Sequence, residues 1–270
     1  MYTFLCEDSP DGIFSGIYAA YESRYGHSNI RLALSEYQEN YELFQEYITI
    51  PTDSKKSEKV ARTLRTRFGE KVYSMIYQAA VADGRPQNQK HPINKADAIY
   101  KSVVLGLSLA DGSRLMDYLH EPYVHQVFLL NRSSYNEAHH LLGFLRFQEL
   151  ENGLLFATIH PKNDVLALVS DHFCDRLPQE NFIIYDESRK MASLHKKGST
   201  YLLADASDIN ESFIHRYSSN ELEYQRLWKG FFDSIAIEAR RNPKLQNQNI
   251  PKRFQKDALE FGKSPDDTSH

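Results

Sequence analysis

Residues 139–191 read HHLLGFLRFQELENGLLFATIHPKNDVLALVSDHFCDRLPQENFIIYDESRKM. Two apolar, aromatic-rich runs, 142–147 and 154–159, flank the turn-like triplet Glu151-Asn152-Gly153, which is the pattern of a β-hairpin. Pro161 ends the second run, and Asn163 or Asp164 offers a helix cap. Val165, Leu166, Leu168, Val169, His172 and Phe173 follow at helical spacing. Pro178 closes that helix, and 182–185 read as a third strand running into Asp186. Strand, strand, helix, strand is a compact α+β unit, and the chain is read outward from it.

Arg146, His160, His172, Arg176, Asp186 and Arg189 stand in or beside these elements. Charged groups are seldom buried without partners. Two readings are open: an internal network such as Arg176 or His172 with Asp186, or a pocket or phosphate-contacting rim.

Downstream, 191–194 and 200–204 read as two further strands around the Lys196-Lys197-Gly198 turn. The sheet then has about five strands, mostly antiparallel. Ser219 or Asn220 caps a helix with Leu222, Leu227, Trp228, Phe231, Phe232, Ile235 and Ile237 on or near its apolar face. Upstream, 2–6 is an opening strand, Ser9-Pro10-Asp11 starts a helix ended by Gly26, and 30–34 and 47–50 are strands. Val60, Leu64, Phe68, Val72, Ile76 and Ala79 or Ala80 form a helical stripe, and 96–107 form another helix. A short helix over 115–119 and a strand-like run over 124–130 lead into the central unit. The expected class is therefore α+β. Residues 1–110 form a helix-rich α/β part, 111–261 an α+β core with a basic C-terminal segment, and 262–270 a disordered tail.

Composition bounds the function. The 270 residues are 41% hydrophobic and 25% charged, with a formal net charge of -4, which excludes a protein that coats nucleic acid indiscriminately but allows a local basic patch. Two cysteines, Cys6 and Cys174, exclude a disulfide scaffold and a four-cysteine zinc site, and fit a reducing cytoplasm. No signal peptide is evident, and no apolar run reaches the length of a membrane span. His120, His125, His139 and His140 lack metal-ligand spacing, so no metal or cofactor is expected. Charge is unevenly placed. Residues 1–50 hold eight acidic residues against Arg24 and Arg31. Residues 51–71 hold seven Lys or Arg against three acids, and the helical stripe there puts Arg62 and Arg65 on a solvated face. From 240 to 256 there are six Lys or Arg and no acid. Arg240, Arg241, Lys244, Lys252 and Arg253 lie in that segment, interleaved with Gln246, Asn247, Gln248 and Asn249, side chains that hydrogen-bond phosphates or base edges.

No Gly-rich phosphate loop, G-x-S-x-G elbow or deaminase motif occurs. The residues favour a binding protein over an enzyme. The competing enzyme reading uses His160 or His172 as acid/base, oriented by Asp186, on a nucleotide or modified base.

The opening strand with D-G-x-F-x-G-I-Y-A-A-Y-E, then G-F-L-R-F, A-T-I-H-P-K-N-D-V-L, H-F-C-D-R, I-Y-D-E-S-R and the closing R-R-N…I-P-K-R-F together resemble the DUF4130 (domain of unknown function 4130) family, over about residues 2–261. Gln255 departs from the aromatic residue expected after R-F. Domains of this family occur fused to a uracil-DNA glycosylase-like domain, and the stand-alone form is encoded beside a radical SAM protein. The resemblance implies a DNA repair or DNA metabolism accessory protein that binds DNA and works with a radical SAM partner. On this reading Arg240, Arg241, Lys244, Lys252 and Arg253 contact phosphates, and Arg146, Arg176 and Arg189 line the adjoining face. A protein–protein adaptor without DNA contact is a further alternative.

Overall fold

The structure is a computed structural model. It describes every residue except 38–41, 86–92, 210–215, 236, 238–239, 241, 256–257 and 259–270, together with the side chain of Asp233. The expected tail 262–270, Arg241 and Lys256 thus lie outside the described residues. Contacts divide the chain into two units, Met1–Asn136 and Glu137–His270.

The first unit holds strands β1 (Tyr2–Cys6), β2 (Ile30–Leu34) and β3 (Glu46–Thr49), with helices α1 (Pro10–Ser23), α2 (Ser54–Ala80) and α3 (Lys95–Ser108). Helix α4 (Pro122–Phe144) begins in this unit, and the division falls within it. The three strands form a parallel sheet in the order β2-β1-β3. Ser9 caps α1, its hydroxyl accepting from the Gly12 amide at 3.0 Å, with Pro10 at the first helical position. The stripe Val60, Leu64, Phe68, Val72, Ile76, Ala79 and Ala80 is buried as its spacing requires. Opposite it, Arg62 and Arg65 are exposed and paired with Glu58 and Glu70. Helix α2 breaks at Gly69, whose φ of 77° suits glycine. Leu115, Val124 and Val127 belong to this core.

Lys95 is buried in this unit. Its ammonium donates to the Ala80 and Ala82 carbonyls at 2.8 and 2.6 Å and pairs with Asp8. It thereby satisfies the Ala80 carbonyl at the C-terminal end of α2, which has no helical partner, and the Ala82 carbonyl just beyond it. Burial pulls the Lys95 ammonium below its ordinary range, and Asp8 acts in the opposite sense.

The second unit is an α+β layer built on a five-stranded sheet in the order β4-β5-β6-β7-β8. Its strands are β4 (Gln148–Glu149), β5 (Leu155–Ile159), β6 (Phe182–Asp186), β7 (Met191–His195) and β8 (Tyr201–Asp205). Helix α5 (Leu166–Arg176) connects β5 to β6, the one parallel pair, and the other three pairings are antiparallel. Leu166, Val169 and Phe173 of α5 share a core with Ala157, Ile159, Phe182 and Ile184 of the sheet. Among the described residues no helix is long and apolar enough to cross a membrane.

Three local expectations are corrected. The strand expected over 124–130 is helical, and so is the first half, 142–144, of the strand expected over 142–147. Val124, Val127, Asn131, Ser134, Ala138, Leu141 and Leu145 are buried at spacings of three and four, the stripe of one long helix. Short apolar runs inside such a stripe imitate strands. The hairpin survives in reduced form, with two-residue β4 pairing β5 around Gly153, whose φ is 77°. Third, neither Asn163 nor Asp164 occupies the cap of α5. Val165 does, without a side-chain cap bond, because Asn163 is engaged elsewhere.

Candidate nucleic-acid interface

The parallel pair β5–β6 ends at Ile159 on one strand and at Asp186 on the other. Parallel strands joined by a crossover helix bring the segments beyond their carboxyl ends side by side. Here these are the loop at residues 160–163 and the β6–β7 turn at residues 187–190, both carried by motifs quoted above.

The loop is held by groups of opposite polarity. Glu137 on α4 is buried, with its carboxylate fully enclosed. It accepts from the Lys162 amide at 3.1 Å, the Asn163 amide at 2.7 Å and the Asn163 side-chain amide at 2.6 Å. Arg189 takes the carbonyls, donating to Pro161 O at 3.3 Å and to Lys162 O. The loop backbone is thus fixed while the Lys162 side chain stays exposed.

Asp186 orients Arg189. Its side chain is fully buried, accepts from the Ser188 and Arg189 amides at 2.9 and 3.2 Å, and pairs with the Arg189 guanidinium at 3.1 Å. Burial pushes the Asp186 carboxyl above its ordinary range, and Arg189 and the turn amides act against that shift. His160 is half-buried and contacts Glu187 through Nε2. The described contacts do not join His172 to Asp186: the His172 ring meets Phe173 edge-on at 5.3 Å.

The basic C-terminal segment is latched to the same carboxylate. Arg253 pairs with Glu137 at 2.8 Å, which completes the shell of donors around that buried charge. Phe254 is buried against His140 and Phe144, with ring centroids 5.3 and 6.0 Å away. Upstream of the latch, Asn242 caps helix α7 (Pro243–Asn249) by accepting from the Leu245 amide at 3.1 Å, after helix α6 (Ser219–Ile235). Gln255, in the single turn α8 (Lys252–Gln255), donates to Asn247 at 3.1 Å and to the Ile250 carbonyl at 2.8 Å. Its amide therefore braces α7 against α8 where an aromatic residue was expected.

Of the expected phosphate contacts, Arg240, Lys244 and Lys252 are exposed, and Arg176 is exposed at the end of α5. Arg253, Arg189 and Arg146 are engaged internally, Arg146 with the Gly143 and Leu145 carbonyls at 3.0 and 3.2 Å. Glu137 and Lys162 escaped the sequence reading. The signal for Glu137 is its place on the buried stripe of α4, where a carboxylate needs several donors. Among the described residues no three His, Cys, Asp or Glu side chains converge as a metal site requires.

Fold and site define an α+β protein whose sheet-end loop and basic C-terminal segment share one buried carboxylate. The family model for a domain of unknown function, DUF4130, matches residues 94–260, and the chain belongs to that family. The D-G-x-F-x-G motif near the N-terminus lies outside the matched residues. No curated protein matches the chain.

Proposed function

We propose that this protein is a DNA-binding accessory protein that presents DNA to a radical SAM partner enzyme. The observation that carries the DNA part is the latched, acid-free segment. Arg253 and Phe254 hold it on the second unit, while Arg240, Lys244 and Lys252 remain exposed among amide side chains. Lys162 joins them through Glu137, which binds both its backbone and Arg253. Compact cations on an ordered surface favour phosphate contacts over base-edge reading. The radical SAM partner rests on the family resemblance alone.

Fluorescence anisotropy with single- and double-stranded DNA at several salt concentrations tests the reading. Each duplex phosphate neutralised contributes a slope of about 0.9 in log affinity against log salt. Lys162→Ala, Lys244→Ala and Lys252→Ala are each expected to remove up to about that much. Salt-independent binding, or affinity unchanged in the triple variant, refutes the DNA contact. Co-purification with the radical SAM protein, with and without DNA, separates a DNA-presenting role from a pure adaptor. The enzyme reading has less support, because the Asp186 oxygens serve the turn and Arg189 while His172 packs on Phe173.

A further inference from the structure

Helix α6 carries an apolar face that the described residues leave uncovered. Tyr224, Leu227, Trp228, Phe231 and Ile235 follow one another at helical spacing and are exposed by 69, 60, 43, 54 and 56%. None of the five belongs to a described core cluster. The side of α6 that is partly covered is a different one, with Leu222, Gln225 and Phe232. Apolar patches of this kind mark interaction sites.

We propose that α6 is the contact helix of a symmetric homodimer, pairing antiparallel with α6 of a second copy. Four of the five positions are self-complementary in spacing, while Leu227 exchanges with Phe232 on the partly covered side. Reflection about the midpoint between Lys229 and Gly230 exchanges Tyr224 with Ile235 and Trp228 with Phe231, as a two-fold contact between identical surfaces requires.

The area fits a small, reversible dimer. The exposed parts of the five side chains amount to roughly 500–600 Å² per copy, so a pair buries about 1,100 Å², at the small end of specific interfaces. The polar flanks carry Glu221 and Glu223 as well as Arg226 and Lys229. That mixed rim suits a protein surface better than an anionic lipid surface, which selects a uniformly basic face.

The test is sedimentation equilibrium of the full chain across the micromolar range, with Trp228, the chain's single tryptophan, as a fluorescent reporter. The expected result is a monomer–dimer equilibrium with a blue shift of emission as dimer forms. Phe231→Asp, at an exposed position, is expected to weaken association about 30-fold or more with the far-UV spectrum unchanged. In a Cys174→Ser background, Tyr224→Cys chains mixed with Ile235→Cys chains are expected to cross-link to each other rather than to themselves. A monomer at every concentration, equal dimerisation of the Phe231→Asp variant, or Tyr224→Cys chains bridging to their own kind overturns the proposal. So does a monomer that binds lipid vesicles through α6.

Discussion

Replacing Arg253 by alanine removes the cation from a carboxylate that has no access to water. Taking one partner from a buried ion pair costs about 3–5 kcal/mol when the survivor is left uncompensated. Two features of this site lower that figure. Glu137 keeps three hydrogen bonds from Lys162 and Asn163, and the Arg253 side chain is 38% exposed, so solvent already screens part of its charge. The expected loss is about 2 kcal/mol, and it falls on the C-terminal segment before it falls on the whole chain. The assay is hydrogen exchange resolved by mass spectrometry, because the chain has two units and one global unfolding curve would mix them. Amides of α7 and α8 are expected to exchange about 30-fold faster in Arg253→Ala, while those of β6 and β7 stay protected. Glu137→Gln is expected to loosen both the segment and the loop at residues 160–163, since the amide nitrogen cannot accept from the loop's N–H groups. The double variant then closes a cycle with a coupling of about 1–2 kcal/mol. Additive effects, or unchanged exchange in α7 and α8 on loss of Arg253, would show that Glu137 does not hold the segment.

Phe254→Ala is expected to release the same segment by a different route, with a local cost of about 3 kcal/mol from the lost packing against His140 and Phe144. Tryptic cleavage at Lys244 and Lys252 should accelerate, and an unchanged cleavage rate would refute it. Lys95→Met leaves Asp8 and the Ala80 and Ala82 carbonyls without their donor. Chemical denaturation should show the first unit destabilised by about 3 kcal/mol, and a loss below about 1 kcal/mol would contradict the buried-pair account. Burial pushes the Cys6 thiol from 9.0 up to about 12. The unfolded chain therefore loses this proton first. Stability from the protonated thiol is intact below pH 9 and is lost as pH rises towards 12. Denaturation of wild type and Cys6→Ala across that window should show a shallower decline in the variant, and parallel declines would remove Cys6 as the cause.

Much of the fold was legible in the chain. Ser9-Pro10 marks the start of α1, the stripe from Val60 to Ala80 marks α2, and Gly153 and Gly198 mark turns that they occupy with positive φ. These signals are local: a cap, a period, a residue that tolerates one backbone conformation. Composition also located the one acid-free basic segment without any coordinates. The strand-like runs at 124–130 and 142–147 misled because a few apolar residues fit either period, and only the length of the buried stripe in α4 decides for helix.

The site depended on tertiary structure. Glu137, the loop at residues 160–163 and Arg253 are far apart in sequence, and no spacing rule connects a carboxylate to backbone amides 25 and 26 residues away. Sequence alone determined which residues are charged. The fold decided which charges are spent on holding the chain, as with Arg189 and Arg253, and which remain on the surface, as with Lys162, Lys244 and Lys252. The physical reason is that a buried charge must find partners wherever packing puts it, and packing is a property of the whole chain.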